Sequence, residues 1–108
     1  EHGYRRAFEC GDIHLDTFTL WSDVLKHLGE YETAIEILTE ANKVLPEEYE
    51  IEFRLSGLYY SINNIKKGNI HLKNGMKLQL KHVTLLQELF PEIWERTEVQ
   101  NTIAKFKL

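Results

Sequence analysis

A repeat with a period of 34 residues limits what this 108-residue chain can fold into more than any single position does. Gly29, Tyr31, Ala34, Leu38, Ala41 and Pro46 recur 34 positions later as Asn63, Ile65, Gly68, Leu72, Gly75 and Leu80. Counting back the same distance from Leu38, Ala41 and Pro46 reaches Tyr4, Ala7 and Asp12, a truncated earlier copy. A hairpin of two helices has this length, and stacking such hairpins buries in series the stripes that one hairpin leaves open. The expectation is an all-α chain, and with 6 Gly and 2 Pro it is too poor in turn residues for a loop-rich β fold.

Residues 1–11 read as the end of a helix, with Tyr4, Ala7 and Phe8 on one face and Gly11 at its C-cap. From Asp16 to Leu28 the apolar stripe is Phe18, Trp21, Val24, Leu25 and Leu28, closed by Gly29. The next helix, 31–45, turns Tyr31, Ala34, Ile35, Leu38, Ala41, Val44 and Leu45 inward. Glu30, Glu32, Glu36 and Glu40 point outward. Pro46 suits the exit turn or the first turn of a helix over 47–62, whose inward residues include Phe53, Gly57 and Tyr60. Asn63 and Asn64 close that helix. The helix over 65–80 carries Ile65, Leu72, Met76 and Leu80. It also holds Gly68 and Gly75, each costing about 1 kcal/mol against Ala, a cost that makes sense only where a neighbouring helix comes close.

The run Phe18, Ser22, Leu25, Gly29-Glu30-Tyr31, Ala34, Leu38, Ala41 and Pro46 resembles a tetratricopeptide (TPR) repeat. Phe53, Gly57, Tyr60, Ile65, Gly68, Leu72 and Gly75 resemble a degenerate second copy. The resemblance implies a helical-hairpin solenoid, a fragment of a right-handed superhelix. Residues 1–14 would be the second helix of a truncated repeat, 15–48 a full repeat, 49–81 the degenerate one and 82–108 a helical cap. Within the cap, helices over 82–90 and 98–107 flank a turn at Glu92–Glu95, and Thr97 is an N-cap candidate. The Glu-Leu-Phe-Pro-Glu stretch at 88–92 is similar to the C-terminal ends of long bacterial TPR proteins of unassigned function. The half-repeat at the front makes the chain read as part of a longer solenoid.

The formal net charge of −4 opposes a partner recognised mainly through phosphates. The charge is unevenly spread: Glu30 to Glu52 holds eight carboxylates against Lys43 alone, whereas Phe53 to Gln87 holds no acid. A lone cysteine, Cys10, suits a reducing, cytoplasmic setting. No apolar run is long enough for a membrane span. His2, His14, His27, His71 and His82 form no i, i+3 or i, i+4 pair, so no metal site is expected. No phosphate loop, nucleophile elbow or spaced carboxylate pair is present either. No catalytic residue and no cofactor is therefore expected.

In TPR arrays the first helix of each hairpin lines a concave groove. Carried onto this chain, the resemblance implies Asp16, Thr19, Asp23, Lys26 and His27, then Ile51, Arg54, Leu58, Ser61 and Ile62. Asp23 would repel the terminal carboxylate that some TPR co-chaperones clamp, so an extended or helical peptide of mixed character fits better. Tyr49 and Tyr59 are further candidates for an exposed contact. The function implied is non-catalytic binding of a protein or peptide partner. Self-association through Tyr4, Ala7 and Phe8 is a further expectation. The alternatives are RNA binding on Lys66, Lys67, Lys73, Lys77 and Lys81, and a purely structural end-cap.

Overall fold

A computed structural model describes residues 15–107. The expected edge residues Tyr4, Ala7 and Phe8 lie outside the described residues. Among the described residues seven α-helices follow one another: α1 (Leu15–His27), α2 (Tyr31–Val44), α3 (Tyr49–Ser61), α4 (Ile65–Gln79), α5 (Thr84–Leu89), α6 (Pro91–Trp94) and α7 (Thr97–Lys107). A 3-10 turn, Leu80–His82, links α4 to α5, and no strand occurs among the described residues.

The sequence period reappears in the backbone. Helices α1 and α3 begin 34 residues apart, as do α2 and α4. The turns inside the two hairpins match bond for bond. Gly29 (φ 80°) and Asn63 (φ 64°) hold the left-handed position, which glycine adopts freely and asparagine tolerates. In the first turn Glu30 N–H donates to Leu25 (2.8 Å) and Gly29 N–H to Lys26 (3.0 Å). In the second, Asn64 N–H donates to Tyr59 (2.8 Å) and Asn63 N–H to Tyr60 (2.9 Å). These paired bonds satisfy carbonyls that a helix end otherwise leaves open. Pro46 sits in the exit turn, where the chain also passes Glu47 at φ 64°, so α3 starts two residues later than the pattern predicts.

Helix α3 is the centre of the molecule. Residues 51–58 are all buried, because α2, α4 and α5 pack around it while α1 and α6 touch its flanks. Its partner α4 lies close enough for rings to occupy the glycine notches. A Cβ on Gly75 would stand 2.7 Å from the Phe53 ring, and one on Gly68 would stand 2.7 Å from the Tyr60 ring. Phe53 and Tyr60 are two turns apart on α3, as Gly75 and Gly68 are on α4, so the antiparallel pair interlocks twice. Burial pushes the Tyr60 phenol up to about 12; a hydrogen bond with Thr102 opposes the shift and the nearby Glu98 charge adds to it. The phenol donates to Asn69, which also accepts from Thr102 of α7.

Buried charge on α3 is partnered. Glu52 accepts from Asn42 of α2 (3.3 Å) and from Asn74 of α4 (3.4 Å), and lies 2.8 Å from Nδ1 of His71. This group ties three helices together through one carboxylate, which is how a buried acid avoids its desolvation cost.

The C-terminal segment covers α3 and α4. Helices α5 and α6 pack on α3, and α7 packs on α4. They begin 35 and 32 residues after α3 and α4, so the two-helix plan continues at nearly the same spacing, with its first helix broken at Pro91. The Glu92–Glu95 turn is in fact the short helix α6. Thr97 is the first residue of α7, and Arg96 takes the capping position instead, its carbonyl accepting from Gln100 N–H at 3.1 Å.

Several expected core positions face outward. Val24 (49% exposed), Leu28 (69%) and Val44 (44%) lie on the surface with Leu20 (64%). Helix α1 has apolar residues on two faces, and it packs through Phe18, Ser22 and their neighbours rather than through the Leu20, Val24, Leu28 stripe.

Candidate functional site

The ten residues expected to line a groove separate into three groups. Ile51 and Leu58 are core residues, fully enclosed, because α5 and α6 pack against the face of α3 that the pattern left open. Thr19 is also buried, its hydroxyl donating to the Asp16 carbonyl at 3.1 Å, while Asp16 itself is exposed. Ile62 is half-buried at the rim of the core. None of these five lines either of the hollows described below.

Asp23 and Arg54 form the second group and occupy each other. Arg54 Nε donates to Asp23 Oδ1 at 3.0 Å and Nη2 to Oδ2 at 3.1 Å, while Nη1 reaches the Glu50 carbonyl at 3.3 Å. This fork joins α1 to α3 with the planar match that suits guanidinium and carboxylate. Arg54 is therefore a tie between hairpins, not a free cation for a ligand. Tyr49 and Tyr59 are likewise engaged, each half-buried with an imidazole stacked on it: His82 at 4.7 Å and His71 at 5.4 Å between centroids.

Lys26, His27 and Ser61 make up the third group, and the fold brings them together. They line a cleft of about 500 Å³ between the C-terminal ends of α1 and α3 and the elbow joining α5 to α6. Tyr31, Glu88, Leu89, Phe90, Pro91 and Glu92 complete it. A smaller hollow of about 190 Å³, lined by Tyr49, Glu50, His82, Thr84 and Leu85, shares Glu88 with it.

The elbow is held from three sides. A Cβ at Gly57 would meet the Phe90 ring at 2.4 Å, so the ring lies directly on the backbone of α3. The Lys26 ammonium donates to the Leu89 carbonyl and sits 4.6 Å from the Phe90 centroid. That position suits a cation, since a helix C-terminus and an aromatic face both attract it. Arg96 Nη1 donates to the Tyr60 carbonyl at 3.0 Å, fastening the far side of the elbow to the end of α3. Pro91 costs nothing at the start of α6, where its missing N–H has no helical acceptor.

Chemically the cleft has a mainly polar lining with an apolar strip along one wall. Leu89, Phe90, Pro91 and Tyr31 supply the apolar surface, and Glu88 and Glu92 are exposed carboxylates without a partner among the described residues. The Ser61 hydroxyl donates to the Gly57 carbonyl at 2.8 Å, so no base polarises it. Among the described residues no group of three or more His, Cys, Asp or Glu could hold a metal ion, and no helix is long and apolar enough to cross a membrane.

Sequence reasoning placed Lys26, His27 and Ser61 at a groove but missed the wall from Glu88 to Glu92. The signal was in the sequence: a proline preceded by two apolar residues and bracketed by acids, directly after the repeats. No family model matches the chain, and no curated protein or solved structure matches it.

Proposed function

We propose that the chain is a TPR-like, non-catalytic interaction module that holds a peptide segment of a partner protein in the cleft beside the α5–α6 elbow. The observation that carries this reading is the cleft itself. It opens where first helices of successive hairpins meet, and it combines an apolar strip with carboxylates that have no partner among the described residues, a mixed surface of the kind that receives peptides. The two hairpins with matching turns support the TPR likeness, and the lone cysteine suits a cytoplasmic setting.

Selection of a random displayed peptide library against the protein tests the reading. Enriched peptides should bind in the micromolar range and lose binding to a Ser61→Arg variant that fills the cleft while keeping its helical circular dichroism. Failure to enrich any sequence, or binding indifferent to Ser61→Arg, would overturn it. A second reading, RNA binding, draws on exposed Lys66, Ile70, Lys73 and Lys77, which share one stripe of α4. It requires salt-dependent RNA binding that Lys73→Glu weakens.

A further inference from the structure

We infer that the segment taken by the cleft is basic, presenting an arginine or lysine next to an apolar residue, with the cation held by Glu88 and Glu92. This rests on the peptide-binding reading above and adds the partner's chemistry to it.

Three observations point the same way. Glu88 and Glu92 both line the cleft from the two sides of the Pro91 elbow, exposed and without a partner among the described residues. The lysine in the same wall is held at the elbow, where Lys26 donates to the Leu89 carbonyl and faces the Phe90 ring, and the two carboxylates outnumber its charge. The adjoining hollow shares Glu88, while its Glu50 carboxylate is taken by Arg54 Nη1 at 3.4 Å. The Tyr31 ring and Pro91 offer apolar surface beside those acids, to receive the neighbouring side chain and the methylene stem of the cation. An acidic segment would meet Glu88 wherever it lay across the two hollows, since both contain it.

The test uses three fluorescent pools of nonapeptides, with Arg, Gln or Glu fixed at the centre and every other position randomised among neutral residues. Binding to the whole chain is read by anisotropy at 50 and 300 mM salt. The Arg pool should bind about five- to tenfold more tightly than the Gln pool, with the Glu pool weakest, and high salt should erase most of the difference. Glu88→Gln with Glu92→Gln should bring the Arg pool to the level of the Gln pool. Glu88→Lys with Glu92→Lys should reverse the order in favour of the Glu pool. Circular dichroism confirms that these surface variants fold. Equal binding of all pools, still blocked by Ser61→Arg, would overturn the basic specificity and leave the peptide-binding reading standing. No binding by any pool would overturn both.

Discussion

The two hairpins are built on one template and do different work. In α1–α2, the matching positions are alanines, 34 and 41, both fully buried, and one face of α1 leaves Leu20, Val24 and Leu28 exposed. In α3–α4, glycines at 68 and 75 admit whole aromatic rings, and eight consecutive residues of α3 are buried. The same 34-residue unit thus forms a lightly packed flank in one copy and a tightly clasped centre in the other. A repeat sets where helices run; the size of the residue at each contact sets how much stability the contact carries.

That comparison can be broken by mutation. The largest effect is expected for Phe53→Ala, which empties a ring site on α3 and should cost about 3–5 kcal/mol in urea unfolding. Next comes Tyr60, whose folded phenol is raised to about 12 against an ordinary 10.0. The unfolded chain gives up this proton first, so the contribution is whole below pH 10 and is lost as pH rises from 10 to 12. Wild type should lose roughly 2–3 kcal/mol more than Tyr60→Phe across that window, measured as paired unfolding curves. Gly75→Ala gains about 1 kcal/mol of helix propensity but forces a Cβ to 2.7 Å from the Phe53 ring. A net loss of about 1 kcal/mol is expected; a gain would mean the ring moves aside freely. Leu20→Ala on the exposed face of α1 should stay within about 0.5 kcal/mol of wild type.

What was legible in the sequence follows the same division. The Gly29 and Asn63 turns could be read because a left-handed residue leaves a compositional mark at a fixed offset. Gly68 and Gly75 could be read because glycine inside a helix is costly without a close neighbour. Ile51 and Leu58 could not be assigned to the core, since their burial depends on α5 and α6, whose register the break at Pro91 disguises. Arg54 looked like a free groove cation because its partner, Asp23, lies on another hairpin 31 residues away. On α1, helical periodicity fits two apolar stripes, and only packing against α2 and α3 chooses between them.

The most direct measurement is a ¹⁵N–¹H correlation spectrum of the chain, titrated with the arginine-centred peptide pool. Shifts should concentrate at Lys26, His27, Tyr31, Ser61, Glu88, Leu89, Phe90 and Glu92, the walls of the cleft. Shifts centred instead on Lys66–Lys77 of α4, or on Leu20, Val24 and Leu28 of α1, would contradict the assignment of the cleft as the binding surface.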